Sequence, residues 1–198
     1  MEKKEKNLTS RDRQALATKK KIFQVGIKLI QKHGLDGVNV TRIAKAAGVS
    51  VGTFYHYYTS KLDLFMDLYR SADQHFETEL AASLKALPFE GQIQAFFEEY
   101  ADMAEKNGVD LTRKMYIPEN SLFISRKQGM HSVLEEIIAA AQGSGICSTK
   151  NTPREIESEL FLVARGVIFD WALHEGSYNL KEKTRKMLEI YISGVLCS

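Results

Sequence analysis

Residues 41–61, TRIAKAAGVSVGTFYHYYTSK, place the tightest limits on how this chain can fold. Gly48 follows a short helical stretch over residues 42–47 and marks a break, because glycine tolerates the left-handed conformation of a tight turn. Ser50 can cap the next stretch, since its hydroxyl accepts hydrogen bonds from free backbone N–H groups. The segment therefore predicts two short helices joined by a turn, which is a helix-turn-helix.

The second of these helices carries an unbroken run of rings, Phe54, Tyr55, His56, Tyr57 and Tyr58. A helix of this length can hide only about half of them, because its side chains point all round the axis. We expect Phe54 and Tyr58 to hold the helix against its neighbours. The other three rings then face something other than the protein interior.

The rest of the chain also favours helices. It has only three prolines, and apolar residues recur at helical spacing with no useful alternating pattern. We therefore predict an all-α protein in which an N-terminal three-helix domain with the helix-turn-helix precedes a larger helical domain. The expected segments are a flexible basic arm over 1–17, the helix-turn-helix domain over 18–61, and the helical domain over 62–198 with a connector helix over 62–84.

Charge is distributed unevenly along the chain. Residues 1–61 hold 13 Lys and Arg against 4 Asp and Glu, whereas residues 62–198 hold 14 against 21. A concentrated positive block is typical of a module that binds a polyanion, although a solvated basic tail would have the same composition.

The segment VTRIAKAAGVSVGTFYHYYTSK, with FQVGIKLIQKHGLDGVNV before it, resembles the TetR family of bacterial regulators over about residues 20–66. The two helices, the glycine turn, the aromatic cluster and the trailing SK occur together at fixed spacing. The resemblance implies a DNA-binding domain followed by a helical domain for effector binding and dimerisation. Tyr58 departs from the pattern, where phenylalanine is more usual, and its hydroxyl needs a partner or solvent.

The resemblance also implies a set of DNA contacts. Thr53, Tyr55 and Lys61 would touch phosphates, while His56 and Tyr57 would lie at the groove. The residues that open the two helices would add phosphate or base contacts, and these are Thr41, Arg42, Ser50, Val51 and Gly52. The alternative for each side chain is a solvated or packing role.

The last two helices are too apolar to be exposed, which favours a dimer interface. A symmetric dimer would present two recognition helices about 34 Å apart, one turn of DNA, and so match a palindromic operator. The candidate interface residues are Val163, Gly166, Val167, Phe169, Asp170, Met187, Leu188, Tyr191, Ile192 and Val195.

Aromatic and thioether side chains between the connector and these helices are candidates for an effector pocket, although such residues are usually core. Arg165 is a charge within an otherwise apolar helix, so it requires an acidic partner or an anionic ligand. The set suits a hydrophobic or planar small molecule and comprises Phe96, Phe97, Tyr100, Met103, Met115, Tyr116, Phe123, Met130, Phe161, Arg165 and Trp171.

These features predict a ligand-responsive DNA-binding regulator, a repressor that binds its operator as a homodimer and is released when an effector changes the recognition-helix spacing. The alternative is a nucleoid or cell-division factor with no small-molecule effector. No catalytic motif, metal-ligand spacing or cofactor motif is present, so we expect no enzyme, no metal and no cofactor. Without a membrane span or a secretory signal, the expected location is the cytoplasm.

Overall fold

The computed structural model describes residues 9–116 and 129–196, with the backbone alone at 65, 66, 195 and 196. Every regular element within those residues is helical, which confirms the predicted all-α class. The helices are α1 (Ser10–His33), α2 (Val40–Ala47), α3 (Val51–Tyr57), α4 (Asp63–His75), α5 (Ala81–Leu84), α6 (Phe89–Asn107), α7 (Val109–Met115), α8 (Gly129–Gly143), α9 (Pro153–Leu173) and α10 (Leu180–Leu196). A π-helical turn, Phe76–Leu80, joins α4 to α5.

Helix α1 begins earlier than the sequence predicted. Thr9 and Asp12 form a capping box, in which Thr9 Oγ1 accepts from the Asp12 N–H at 3.1 Å and the Asp12 carboxylate accepts from the Thr9 N–H at 3.0 Å. These bonds satisfy backbone donors that would otherwise be free at a helix end. The predicted flexible arm is therefore wrong for residues 10–17, whose basic side chains lie on the first turns of α1.

The turn between α2 and α3 follows the sequence prediction. Asn39 caps α2 by accepting from the Arg42 N–H at 2.8 Å. Gly48 ends α2 with φ 67° and ψ 36°, in the left-handed region that glycine enters without steric cost. Ser50 Oγ then accepts from the Thr53 N–H at 3.0 Å and starts α3. The helix-turn-helix is thus fixed by three local interactions.

A small core holds these helices together. Ile22, Ile43, Phe54 and Leu64 are completely buried. Helix α1 passes close to α4 at Gly26, where a Cβ atom would lie 2.5 Å from Leu64 Cδ1. The glycine therefore permits the two helices to approach closely, and a larger residue would push them apart.

The chain divides into two compact units, Met1–Leu68 and Tyr69–Ser198, and the division falls inside α4. The predicted connector over 62–84 is helical, but it is not one regular α-helix. The backbone N–H of Ala81 donates to Phe76 O across the π-helical turn. Such turns contain one residue more than an α-turn, and they are frequent near functional sites.

The second unit has an aromatic core built by α6, α8, α9 and α10 together with the π-helical turn. Phe76, Phe96, Phe97 and Phe161 are at most 1% exposed, and their rings meet at steep angles, as aromatic pairs prefer. Helix α9 starts with the predicted Thr152, Pro153 and Glu155 capping box. Among the helices of residues 9–116 and 129–196, none is both long and apolar enough to cross a membrane.

Candidate functional site

Helix α3 has one buried side. Phe54 is completely buried and Tyr58 is 3% exposed, which confirms that these two rings face the core. The Tyr58 hydroxyl donates to Asp67 Oδ2 at 3.0 Å, and Lys19 Nζ lies 2.7 Å from the same oxygen. Lys19 Nζ also lies 5.4 Å from the centre of the Tyr58 ring. The extra hydroxyl at this position therefore has a charge-assisted partner, and it joins α3 to α1 and α4.

The opposite side of α3 faces solvent. Tyr55 is 54% exposed and Val51 is 38% exposed, and His56 and Gly52 are exposed too. A Cβ atom on Gly52 would come no nearer than 3.7 Å to its closest neighbour, Ser50 Oγ. The glycine at this position is therefore not required by packing within the chain.

Two predicted contact residues on α3 are half-buried. The hydroxyl groups of Thr53 and Ser50 lie 2.8 Å apart, and the ring of Tyr57 lies 4.9 Å from that of His56 in an edge-on arrangement. These contacts restrict the rotamers of both pairs. Seven of the predicted DNA-contacting residues, 50–53 and 55–57, therefore lie together along the accessible part of α3 or at its start.

Arg42 stands beside this surface at the start of α2, next to the exposed Thr41. One Arg42 guanidinium nitrogen lies 2.9 Å from His33 Nε2, and the other donates to Gly37 O at 3.3 Å. Arginine has no acceptor, so His33 must accept through Nε2 and carry its proton on Nδ1. Loss of hydration, then the charges of Arg42 and Lys32, lower the pKa of His33.

Lys61 has an intramolecular role that the sequence did not indicate. Its ammonium donates to Leu35 O at 2.5 Å and to Val38 O at 3.0 Å, so it fastens the loop between α1 and α2. An ammonium has three donors, and these two bonds leave one of them for another acceptor. No local pattern could have predicted contacts that span more than twenty residues.

Most of the predicted effector residues fill the core of the second unit. Phe96, Phe97, Met130 and Phe161 are at most 2% exposed, and Trp171 is buried as well. They are therefore packing residues in this structure, because their rings and side chains fill the space between the helices. Phe123 lies outside the described residues.

Four other predicted effector residues meet around a small cavity of about 10 Å³. Tyr100 and Met103 reach it from α6, while Met115 and Tyr116 reach it from the end of α7. Tyr69 of α4 also lines this cavity, and the sequence analysis missed it. Its spacing on an amphipathic helix is that of an ordinary core residue, which is why no signal identified it.

Arg165 belongs to the same region. Its guanidinium hydrogen-bonds the Tyr100 hydroxyl, and its Cζ lies 5.0 Å from the centre of the Phe161 ring. A neutral tyrosine hydroxyl is thus one partner of this arginine, and the acidic partner or anionic ligand that the sequence analysis expected stays a prediction.

The predicted dimer residues separate into two groups. Gly166, Phe169 and Met187 are exposed, whereas Val163, Asp170 and Tyr191 are half-buried. Val167, Leu188 and Ile192 are buried within their own subunit, and their assignment to an interface stays a prediction. The side chain of Val195 lies outside the described set.

Three apolar side chains on the same helices were missed by the sequence analysis. Leu162 is 71% exposed, Leu173 is 55% exposed and Ile190 is 63% exposed. Leu162, Gly166, Phe169 and Leu173 follow helical spacing along α9, so the stripe was detectable in principle. A groove of about 340 Å³ runs beside it between α9 and α10.

Comparison with known proteins agrees with this geometry. Residues 22–68 match the family model described as "Bacterial regulatory proteins, tetR family". The chain is 21% identical over 181 residues to the "Fatty acid metabolism regulator protein" of Bacillus subtilis (strain 168). The aligned region covers 88% of this chain and 93% of that protein.

Two solved structures share the fold. The transcriptional regulator FadR from Bacillus subtilis in complex with stearoyl-CoA aligns with a TM-score of 0.72 and 20% identity, covering 89% of this chain and 98% of that one. Thermus thermophilus FadR, a TetR-family transcriptional repressor in complex with lauroyl-CoA, aligns with a TM-score of 0.67 and 20% identity, covering 87% and 92%. The matched segment and its helix-turn-helix geometry show that residues 22–68 form a DNA-binding domain of the kind found in TetR-family bacterial regulators, and the helical fold that follows is shared with the two FadR structures.

Proposed function

We propose that the protein is a repressor that binds a palindromic operator as a homodimer and is released by a long-chain fatty acyl effector. The observation that carries the DNA-binding part is the solvent-facing side of α3, where Val51, Tyr55 and His56 are exposed while Phe54 and Tyr58 anchor the helix. A rigid helix with an accessible face, in a segment rich in Lys and Arg, suits the major groove.

The roles of the DNA-contacting residues follow their positions. Thr53 and Tyr55 are proposed to position phosphates, with the remaining donor of Lys61 close to them. His56, Tyr57 and Val51 are proposed to meet bases or thymine methyl groups, and Arg42 a phosphate or a base. The exposed Gly52 allows close approach of the DNA.

A second copy of the chain is the proposed occupant of the apolar stripe on α9 and α10. Leu162, Phe169, Leu173, Met187 and Ile190 would be buried in a symmetric interface, in which the same surface is used by both subunits. Among the described residues, no side chain and no other helix comes within 4 Å of where a Cβ on the exposed Gly166 would lie, so this position leaves room for a close helix.

The acyl effector is proposed from the relatives and from the interior of the second unit. The fatty acid metabolism regulator matches nearly the whole chain, and two structures of the same fold hold stearoyl-CoA and lauroyl-CoA. This whole-chain similarity favours an effector-responsive regulator over a nucleoid or cell-division factor. We also propose that the protein is not an enzyme and that it acts in the cytoplasm.

Release is proposed to follow from a change in the spacing of the two recognition helices. An effector shifts such an equilibrium only by its different affinities for the two states, and moving it from 99:1 to 1:99 takes about 5.5 kcal/mol. Equal recognition-helix separations in structures with effector and with operator would contradict this step.

The test uses DNA from upstream of the protein's own gene in a gel-shift titration. We expect a retarded complex that unrelated DNA of equal length does not displace, and that hexadecanoyl-CoA dissociates while coenzyme A alone does not. Tyr55→Ala should weaken binding about tenfold through the loss of a phosphate hydrogen bond, whereas Leu87→Ala, at another exposed position, should not. Retention of the complex with acyl-CoA of every chain length would reject the effector.

A further inference from the structure

The core of the second unit contains a polar cluster assembled from four helical elements. Tyr69 comes from α4, Tyr100 from α6, Tyr116 from the C-terminal end of α7 and Arg165 from α9. Arg165 and Tyr116 both hydrogen-bond the Tyr100 hydroxyl, and Tyr69 lies close enough to Tyr100 to interact electrostatically with it. These four residues are called the tyrosine–arginine cluster below.

The cluster is rich in donors. Burial raises the pKa of Tyr69, Tyr100 and Tyr116, so all three phenols keep their protons at physiological pH. Arg165 can only donate and remains charged. The hydrogen bond between Tyr116 and Tyr100 holds these two hydroxyl groups beside each other. Each protonated phenol has one O–H donor, which adds to the N–H donors of the guanidinium.

Tyr69, Tyr100 and Tyr116 line the cavity of about 10 Å³, and Arg165 is linked to it through its hydrogen bond to Tyr100. This volume holds roughly one water-sized group. The remaining wall is mainly apolar and includes Met103, Met115 and Ile168. Unbranched thioether side chains change rotamer easily, so the apolar end can widen at small cost while the polar end stays fixed by its hydrogen bonds.

We propose that the tyrosine–arginine cluster binds the acyl oxygen of the effector, with the hydrocarbon chain displacing Met103 and Met115. The oxygen is the carbonyl oxygen of a fatty acyl thioester or a carboxylate oxygen of a free fatty acid. This inference rests on the proposed function, because it assigns the polar end of the same effector.

The chemistry of the cluster selects against other ligands. A positively charged ligand would be repelled by the guanidinium of Arg165. A binding site discriminates most strongly between a ligand and its analogue when the analogue lacks an acceptor and so leaves a buried donor of the protein unpaired. An analogue without the acyl oxygen should therefore bind much more weakly than the acyl compound.

The experiment measures binding of three ligands to the full-length protein by isothermal titration calorimetry. These are hexadecanoyl-CoA, its thioether analogue hexadecyl-CoA, which lacks only the carbonyl oxygen, and hexadecanoate. We expect the thioester to bind about tenfold more tightly than the thioether, as one buried hydrogen bond predicts. In Tyr100→Phe and Arg165→Met this preference should fall to about twofold or less. Tyr178→Phe is the matched control, because it removes a hydroxyl that donates to Val167 O and Asp170 outside the cluster, and it should keep the full preference.

Each result decides the question. Tighter binding of hexadecanoate than of the thioester, lost in Tyr100→Phe, would support the cluster and identify the carboxylate as the source of the oxygen. An unchanged preference in both cluster variants, or equal binding of thioester and thioether to the wild type, would overturn the inference while leaving an acyl effector in place. Failure of every acyl ligand to bind the wild type would reject the effector and this inference together. The comparison of thioester and thioether binding to the wild-type protein does not depend on whether any variant folds.

Discussion

The side chain of Arg42 is held in place before any DNA arrives. Its guanidinium bonds His33 Nε2 and Gly37 O, both in the chain that leads from α1 to α2. This arrangement restricts a long side chain that would otherwise sample many rotamers, which reduces the entropy lost on binding. It also requires His33 to be neutral, because a protonated imidazole has no acceptor nitrogen.

The coupling between these two residues gives a pH prediction. We expect the pKa of His33 to lie below 6.5 in the folded protein, and Arg42→Gln to raise it, because the arginine charge disfavours the imidazolium. An NMR titration of the imidazole measures both values. Lys32→Gln is the control and should raise the pKa less, since Lys32 contributes less than Arg42.

The lowered pKa of His33 determines how its contribution to stability changes with pH. A lowered pKa in the folded state means that the unfolded chain binds this proton more readily. The contribution of His33 to stability is therefore present above about pH 6.5 and is lost as the pH falls through the lower folded value. A His33 pKa at or above 6.5 in the wild type would contradict the Arg42 contact.

The intramolecular hydrogen bonds of Lys61 could not be predicted from the sequence. The resemblance implied a phosphate contact for Lys61, and that contact stays a prediction. Its bonds to Leu35 O and Val38 O join residues far apart in the chain, so they depend on the completed packing of α1, α2 and α4. Tyr58 is similar, because its partner Asp67 lies on the next helix.

Among the helices, α3 shows how two glycines close together serve different purposes. Gly48 adopts a left-handed conformation that the turn requires, whereas Gly52 is exposed, does not have positive φ and has open space around it. The first glycine is explained by the fold. The second is not required by packing among the described residues, and the proposed approach of DNA to α3 would give it a role.

This difference predicts opposite effects of the same substitution. Gly48→Ala should lower the free energy of unfolding by about 1–2 kcal/mol, the cost of a left-handed alanine. Gly52→Ala should leave stability unchanged or raise it by up to about 1 kcal/mol, because alanine is the better helix former. Urea unfolding measures both changes.

DNA binding provides the second readout for this pair. Gly52→Ala should weaken operator binding although the protein is at least as stable, since the methyl group stands where DNA approaches. Wild-type operator affinity in Gly52→Ala would show that the DNA does not come close to this point.

The helix pattern was predictable wherever the signal is local. The start of α9 was predicted by the capping pattern of Thr152, Pro153 and Glu155. The turn between α2 and α3 was predicted by Gly48 and Ser50. The interior of the second unit was less predictable, because a buried ring and a ring that lines a cavity have the same helical spacing. Packing decides between them, as it did for Phe96 and Tyr100.

For the whole molecule, the apolar stripe on α9 and α10 is the surface that most needs a partner. Leu162 and Ile190 are both more than half exposed, whereas most apolar side chains of comparable size are buried. Single exposed apolar residues are normal on a protein, but a contiguous stripe marks an interaction surface.

A charge placed on this stripe should separate the proposed dimer. Ile190→Lys should raise the dimer dissociation constant about a hundredfold or more, because twofold symmetry buries two lysines at once. Sedimentation analysis measures the change, and operator affinity should fall with it. Ile146→Lys is the matched control, since Ile146 is 49% exposed in the loop after α8. A stable Ile190→Lys dimer would move the interface elsewhere.

The π-helical turn at Phe76–Leu80 has a consequence for how the length of this chain can vary in evolution. Loss of one residue from an ordinary α-helix rotates everything beyond it by about 100° and moves buried side chains into solvent. Loss of one residue from a π-helical turn instead leaves a regular α-turn, with the flanking helix faces still aligned. Deletion of one residue from the connector is therefore best tolerated in this turn. In a related protein whose connector is one residue shorter, we expect the missing residue to be the extra residue of the π-helical turn.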